Sequence, residues 1–432
     1  MANPQFSSGD TAWLLASSAL VLLMTPGLAF FYGGMVRVKS VLNMIMMSFA
    51  TIGVVSILWV LFGYSLAFKG TNPFIGDLSA VGLHGLLKTD SGTIPELVFS
   101  AFQLMFAIIT PALISGAIAD RVKFGAWVLF VAVWTTIVYF PVAHWVFYFN
   151  GGKGGWIGDR MGAFDFAGGT AVHINAGAAG LALALVLGKR VGWRRDPMRP
   201  HNLPLVLLGA GMLWFGWFGF NAGSALAAND VAVNALVDTN LAAAAAGISW
   251  MLVDWIRKGR PSAVGMAVGA VCGLAAVTPA SGYVSPGDSI LIGLVAGILS
   301  NYVANWRART RLDDSLDVFA CHGAGGMWGT VATGLFASTA INAAGPNGLV
   351  YGNPHLLLVQ LFGVGVVAGF SFVGSYLLLR VINHFTPLRV APAEESAGLD
   401  ISEFGEAAYD PSGGSEPDPL HGPVAPTGET SA

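Results

Sequence analysis

The chain has 432 residues, of which 54% are hydrophobic and only 10% are charged, and its formal net charge is −3. Soluble globular domains carry about 25% charged residues. The composition therefore excludes an ordinary soluble domain and indicates a protein that spans a membrane.

Apolar runs of about 20 residues, each long enough to cross a bilayer, recur along the whole chain. Because lipid offers no hydrogen-bond partners to backbone groups, each run is predicted to form a transmembrane helix. The runs cover approximately 12–34, 41–68, 95–119, 124–147, 164–188, 203–227, 231–256, 263–281, 288–305, 318–340 and 355–385. The predicted fold is an all-α polytopic membrane protein with eleven transmembrane helices.

Most of the 21 basic residues fall in every second loop between these runs. Loops rich in Lys and Arg stay in the cytoplasm. The first run has no basic segment before it and is interpreted as a true span rather than a cleaved signal. An odd number of spans then places the N-terminus outside the cell membrane and the C-terminus in the cytoplasm.

The spans divide into two halves, spans 1–5 and spans 6–10, with the eleventh span outside the pair. Because five is odd, the halves are predicted to form an inverted repeat, which places a substrate site near the bilayer midplane. The aromatic and glycine-rich segments 25–34 and 217–225 lie in the first span of each half and are predicted to be broken helices.

One histidine lies deep in the fifth span of each half, His173 and His322, and each has an aspartate upstream, Asp165 and Asp317. An ionisable ring inside a bilayer is costly and usually faces a pathway or a partner. Two such rings predict a proton-handling conduction path. Asp165 is predicted either to cap a helix start or to take part in proton transfer.

Three aspartates lie at the start of span 10, namely Asp313, Asp314 and the Asp317 already named. They are predicted to cap span 10 and to pair with Arg307 to Arg311, with no role in transport.

Aromatic residues cluster at three places in the chain. Phe102 and Phe106 share one face of span 3, and Phe220 precedes Ser224 by one turn in span 6. Phe147 lies at the end of span 4. Aromatic residues at span ends often form an interfacial belt, whereas ring faces can also attract a small cation, and the mid-span rings are either lipid-facing core or a pore gate.

The two cysteines, Cys272 and Cys321, both lie in spans and show no metal-ligand spacing. The sequence has no phosphate-binding loop, nucleophile elbow or HExxH motif. We therefore expect no metal, no cofactor, no nucleic-acid partner and no enzyme activity.

The chain after the last span differs in composition from the rest. Residues 391–432 hold nine of the 24 acidic residues and no Lys or Arg, so the predicted domains are a membrane domain, 1–390, and a cytoplasmic regulatory tail, 391–432. The segment 397–410 contains apolar residues and is predicted to dock on the cytoplasmic loops or on a partner. The tail after about residue 411 is predicted to be largely disordered.

Five long motifs follow one another along the chain: PGLAFFYGGMVRVKSVLNMI, FQLMFAIITPALISGAIADRVKF, DFAGGTAVHINAGAAGLALALVLGKR, WFGWFGFNAGSA and DDSLDVFACHGAGG. Together they resemble the ammonium transporter (Amt/Mep/Rh) family, and in particular its Amt branch. The likeness covers about residues 10–410.

The resemblance implies a homotrimer in which each subunit has its own pore. It implies that Phe106 and Phe220 form a phenyl gate and that His173 and His322 form a twin-histidine pair in the pore. Phe102, Phe147 and Ser224 would form an outer ammonium recruitment site, with Asp165 as the acid that shapes it. Position 147 departs from the pattern, because the best-known Amt members carry Trp there. The segment GLDISEFGEAAY implies regulation by a PII signalling protein.

The predicted function is that of an ammonium channel or transporter. Ammonium, or its analogue methylammonium, would lose its proton after the outer site, and ammonia would cross the apolar pore with or without separate proton transfer. The alternative is an ammonium sensor that signals through its tail and transports little. A channel for water or urea fits less well, because paired NPA motifs are absent from the sequence.

Overall fold

The computed structural model of the protein describes residues 6–409, and this part of the chain is predominantly helical. Eleven long helices follow one another: α1 (Ser8–Met35), α2 (Val38–Phe68), α3 (Glu96–Ile118), α4 (Phe124–Phe147), α5 (Gly169–Leu187), α6 (Leu203–Gly223), α7 (Asp230–Lys258), α8 (Ala263–Val277), α9 (Pro286–Arg309), α10 (319–336) and α11 (Pro354–Phe385). A short helix α12 (Pro392–Ala397) and a π-helical turn (Asp400–Phe404) complete the described chain. A two-residue hairpin, β1 (Asp90–Ser91) and β2 (Ile94–Pro95), precedes α3.

Every predicted span corresponds to one of these helices. Within residues 6–409, nine helices are long and apolar enough to cross a membrane, and α8 and α10 are shorter. The helical architecture predicted from the sequence is confirmed, whereas the number of spans stays a prediction. The largest difference in boundaries lies at α5, which begins at Gly169 rather than near 164, because the preceding residues form an irregular segment.

The prediction of broken helices at 25–34 and 217–225 is wrong. Helix α1 runs without interruption through Pro26, and α6 continues to Gly223. Their small residues instead allow the two helices to pack closely, as is usual between membrane helices. A Cβ on Gly209 would lie 2.2 Å from the Phe31 nitrogen, and one on Gly219 would lie 2.8 Å from the Ser17 carbonyl.

The fifth helices of the two halves, α5 and α10, also pack against each other. Each begins with a π-helical turn, Gly169–Ile174 in α5 and Phe319–Ala324 in α10, and each turn contains one of the two histidines. A Cβ on Gly177 would lie 2.3 Å from the Gly323 nitrogen. Glycine at 177 therefore lets the two backbones approach closely enough for the histidine side chains to meet.

We call the end of the helix bundle that contacts residues 392–409 the tail face, and the opposite end the vestibule face. A buried ionic cluster lies at the tail face. Arg190 pairs with Asp313 at 2.8 Å and with Asp120 at 3.3 Å, and Arg37 pairs with Asp120 at 3.0 Å. Arg121, which is fully buried, donates to the Asp313 carbonyl at 2.6 Å.

The acidic residues before α10 therefore differ partly from the prediction. Asp314 caps the helix, since its carboxylate accepts from the backbone nitrogens of Val318 and Phe319 at 3.1 and 2.9 Å. Asp317 pairs with Arg307 at 2.5 Å, as predicted. Asp313 does not pair with the 307–311 arginines, because the loop after α5 brings Arg190 to it instead.

The tail docks on the bundle through its carboxylates. Asp400 accepts from the backbone nitrogen of Asn43 near the start of α2 at 2.8 Å, and Glu403 accepts from that of Phe124, the first residue of α4, at 2.9 Å. Glu395 accepts from the Val191 backbone nitrogen at 2.5 Å. Segment 397–410 thus contacts the loops over its described part, whereas the prediction for the tail after 411 lies outside the described residues.

Candidate functional site

A cavity of about 320 Å³ opens at the vestibule face. Phe147, Asp165 and Ser224 line it, as expected for an outer site. Its other lining residues include Phe99, Gln103, Phe149, Phe166, Asn229, Tyr283 and Asn342. The cavity thus combines a carboxylate, a hydroxyl, amides and several aromatic rings.

Asp165 lies in the irregular segment just before α5. Its carboxylate accepts hydrogen bonds from the backbone nitrogens of Gly168, Gly169, Thr170 and Ala171, at 2.6 to 3.2 Å, and from the Thr170 hydroxyl. The carboxylate thus satisfies backbone N–H groups at the start of α5 that have no partner within the helix, as a capping side chain does. Asp165 both starts the helix that carries His173 and presents a carboxylate to the cavity.

Two further groups of the cavity have defined chemistry. The Ser224 hydroxyl donates to the Phe220 carbonyl at 2.8 Å, which leaves its oxygen lone pairs free to accept a hydrogen bond. Tyr283 packs edge-on against Phe166, with ring centroids 5.4 Å apart. Burial, together with the nearby charge of Asp165, raises the pKa of Tyr283, so its hydroxyl stays protonated.

The phenyl pair lies next along the path from the cavity. The rings of Phe106 and Phe220 are 4.3 Å apart between centroids, with their planes inclined by 36°. Both side chains are buried. Phe102 does not line the cavity but lies behind this pair, with its ring 4.9 Å from Phe106 and nearly perpendicular to it. Phe102 therefore contacts the phenyl pair, and its role in the outer site stays a prediction.

The two histidines meet beyond the phenyl pair. His173 Nδ1 lies 3.3 Å from His322 Nδ1, and the ring planes are inclined by only 18°. Since both facing atoms are ring nitrogens, one must donate and the other must accept. His173 also stacks on Phe220, at 6.0 Å between centroids, so the gate and the histidine pair are continuous.

Trp217 forms the wall beside the histidine pair. Its ring stacks on His173 at 5.4 Å, and its indole nitrogen donates to the Thr278 hydroxyl at 2.9 Å. The imidazole edge of His173 opposite His322, at Nε2, has no hydrogen-bond partner in the described part of the chain. The histidine pair thus lies in buried, largely apolar surroundings.

The sequence did not single out Trp217, Gln103 or Tyr283 as site residues. The first two lie within aromatic or apolar runs, where many neighbours share their character. Tyr283 lies in a loop more than 100 residues from Asp165 in the sequence, so only the fold brings them together. Among residues 6–409, no three His, Cys, Asp or Glu side chains are placed to hold a metal ion.

Comparison with known proteins shows which family the chain belongs to. The sequence profile of the Ammonium Transporter Family matches residues 12–409. The chain belongs to the ammonium transporter family. The resemblance seen in the motifs is thereby confirmed, and the chain is a multi-pass membrane protein.

Individual relatives agree with this placement. An ammonium transporter of Mycobacterium tuberculosis is 50% identical over 430 residues, which covers 93% of this chain and 90% of that protein. The crystal structure of Candida albicans Mep2 superposes with a TM-score of 0.86 at 36% identity and covers 96% of this chain and 94% of that one. A structure described as "Sensor Amt Protein" has the same TM-score at 29% identity and covers 94% and 100% of the two chains.

Proposed function

We propose that this chain recruits ammonium at the vestibule-face cavity, removes its proton, and conducts ammonia through the pore that contains His173 and His322. The observation that carries the proposal is the buried contact between these two histidines, in line with the Phe106–Phe220 pair and the cavity. Family membership supports the same substrate.

Recruitment rests on the chemistry of the cavity. A small cation is attracted by the Asp165 carboxylate and by the faces of aromatic rings such as Phe147. The Ser224 oxygen can accept one of the ammonium hydrogens, because its own hydrogen is used on the Phe220 carbonyl. These groups replace part of the water shell that the ion loses.

Deprotonation follows from the cost of placing charge in the passage. A cation in an apolar, water-poor channel is expensive, whereas a small neutral amine is not. Ammonium is a weak acid, so transfer of its proton to the water of the open cavity, before the phenyl pair, removes this cost. The histidine pair offers a donor and an acceptor to ammonia and titrates as a unit. It therefore admits ammonia and excludes hydrated K⁺ and Na⁺.

A second candidate function is that of an ammonium sensor. Two observations favour it: the similar structure described as "Sensor Amt Protein", and the docking of the tail on the starts of α2 and α4. A sensor would bind ammonium in the cavity and change the position of the tail, with little transport.

The partners proposed here follow the family resemblance and the basic loops. We propose that the protein is a homotrimer in the cell membrane, with the N-terminus outside and the tail face in the cytoplasm. We also propose that a PII signalling protein binds the tail face. Co-purification of a PII protein with the wild type, and its absence when Glu403→Ala loosens the tail, would support this partner; equal recovery with both would contradict it.

The decisive experiment uses purified protein in liposomes on a solid-supported membrane. Pulses of ammonium and then of K⁺ are applied to the wild type, to His173→Ala, and to His384→Ala, a control histidine near the end of α11. We expect a saturable ammonium current, no K⁺ current, and a change in the response only in His173→Ala.

Other outcomes separate the alternatives. Internal alkalinisation without current means that ammonia crosses without its proton, and transport still holds. Absence of both signals, with ammonium binding intact, would replace transport by the sensor function. An unchanged response in His173→Ala combined with His322→Ala would refute the role of the histidine pair.

A further inference from the structure

The segment that carries Asp165 has an anchor outside the cavity. Residues 163–165 have no regular structure, and Asp165 follows Phe164 directly. Gln360 of α11 binds both backbone groups of Phe164. Its side-chain oxygen accepts from the Phe164 nitrogen at 2.9 Å, and its side-chain nitrogen donates to the Phe164 carbonyl at 2.6 Å.

This pair of hydrogen bonds is built into the interior of the protein. Gln360 is only 1% exposed. Its nitrogen also lies 3.4 Å from the Thr330 carbonyl. Both donor hydrogens of the Gln360 amide therefore face backbone carbonyl oxygens, and its oxygen faces a backbone N–H. An amide held in this way has one orientation. Rotation by half a turn would place its NH₂ group against the Phe164 N–H and its oxygen against the Phe164 carbonyl. Gln360 therefore fixes Phe164 in position along the segment.

The neighbours of Asp165 are anchored on both sides. The Phe164 ring packs edge-on against Tyr283, 5.5 Å between centroids, and Tyr283 also packs against Phe166. The Phe166 nitrogen donates to the Pro279 carbonyl at 3.2 Å. The α-carbon of Asp165 thus lies between one residue held by Gln360 and one held by the turn after α8.

We propose that Gln360 is a positioning residue, which acts through Phe164 to hold the Asp165 carboxylate at the cavity and so sets the affinity for ammonium. In the described part of the chain, α11 contributes no side chain to the cavity lining. The proposal therefore assigns a role in substrate binding to α11, the helix that lies outside the two predicted halves. It rests on the proposed function of the cavity.

The test uses three substitutions in the full-length protein. Gln360→Leu removes both hydrogen bonds at similar volume. Gln360→Glu retains both only while the new carboxyl is protonated, because a carboxylate can accept but not donate. Ser375→Ala is the control, since Ser375 lies on the same helix and accepts a buried hydrogen bond from Trp134 at 2.8 Å, remote from the cavity.

The readout is the uptake of methylammonium into proteoliposomes. We expect Gln360→Leu to raise the apparent KM about five- to tenfold, the size of effect that two lost hydrogen bonds cause. The maximal rate should stay within about twofold, because the pore is unchanged. Ser375→Ala should leave the KM at the wild-type value.

Gln360→Glu supplies a second measurement, the pH dependence of the KM, which a purely structural role of Gln360 would not change. Its KM, relative to the wild type at the same external pH, should be near one where the new carboxyl is protonated and should approach the Gln360→Leu value as the pH rises and the carboxyl ionises. This measurement also applies where Gln360→Leu fails to fold.

The proposal fails if Gln360→Leu leaves the KM unchanged, if Ser375→Ala raises it equally, or if the Gln360→Glu ratio does not depend on pH. If the wild type takes up no methylammonium, the transport function fails instead. In that case ammonium-induced thermal stabilisation of the wild type and of Gln360→Leu measures the affinity directly, and equal midpoints would overturn the role of Gln360.

Discussion

Phe147 is the aromatic residue of the cavity whose chemistry is easiest to change without disturbing the fold. It is half-buried at the end of α4 and contributes a phenyl ring to the cavity wall. A cation over the face of an aromatic ring gains about 0.5–1 kcal/mol at an exposed site, and indole is the strongest of these rings.

Phe147→Trp should therefore bind ammonium more tightly. We expect the apparent KM for methylammonium to fall about twofold, because the phenyl ring already supplies part of the interaction, with little change in the maximal rate. Uptake kinetics in proteoliposomes measure this. The matched control is Phe74→Trp, because Phe74 is also an aromatic residue of the vestibule face but does not line the cavity. Equal shifts in both variants, or none in Phe147→Trp, would show that the ring does not contact the substrate.

The residues of the site were predictable to different degrees. His173 and His322 stand out because an ionisable ring in an apolar run is unusual, and the structure brings them into contact. Phe102 packs against Phe106 and does not line the cavity, which the sequence could not show, because helical spacing gives the face of a helix but not the depth of a residue in the bundle. Gln360 could not be found from the sequence, since its contact with Phe164 joins residues 196 positions apart and follows no local pattern.

At the scale of the helices, the histidine-bearing turns show what patterns of composition miss. Glycine-rich segments suggested breaks in α1 and α6, yet the departures from regular α-helix at the site occur as π-helical turns in α5 and α10. The glycines of α1 and α6 serve helix contact instead. The composition shows where small side chains lie, but whether they break a helix or allow close packing depends on which helix lies opposite. The π-helical turns themselves are of a kind that is common at functional sites.

The loops that end α3, α5 and α9 are joined by the ionic cluster of the tail face. Burial by itself would raise the pKa of Asp313, but hydrogen bonds from Arg190 and the charge of Arg121 outweigh burial and hold the pKa below its ordinary value of 3.8. Because the pKa is lowered in the folded state, the stabilisation is present above about pH 3.8 and is lost as the pH falls through the folded-state value.

Asp313→Asn should destabilise the protein by about 3–5 kcal/mol, because Arg190 and Arg121 stay buried without their carboxylate. Thermal unfolding in detergent should show a lower Tm at neutral pH and a weaker loss of stability in acid than in the wild type. Asp90→Asn, on the exposed strand β1, serves as the control and should change neither quantity. A variant with the wild-type Tm and the wild-type acid response would contradict the role assigned to Asp313.

At the scale of the whole molecule, large apolar side chains are exposed on most of the long helices of the single chain. They include Leu207 and Phe215 on α6, Val233 and Leu252 on α7, and Leu358 and Leu377 on α11. Lipid and a neighbouring subunit are equally apolar, so hydrophobicity does not distinguish the faces that meet them. Assembly has to be measured.

We expect native mass spectrometry of the detergent-solubilised protein to give three times the chain mass of 44.9 kDa, with bound detergent removed. The expectation rests on the family resemblance. A mass of one or two chains under conditions in which methylammonium uptake survives reconstitution would refute the trimer.

The docked tail also has a consequence for how the protein is made. Asp400 occupies the start of α2 although it lies 357 residues after Asn43, and Glu403 occupies the start of α4 although it lies 279 residues after Phe124. During translation these helices enter the membrane long before the carboxylates that cap them leave the ribosome. The backbone nitrogens at their first turns therefore lack these partners until residues 400–403 have been synthesised, so docking of the tail is a late step in the folding of the membrane domain.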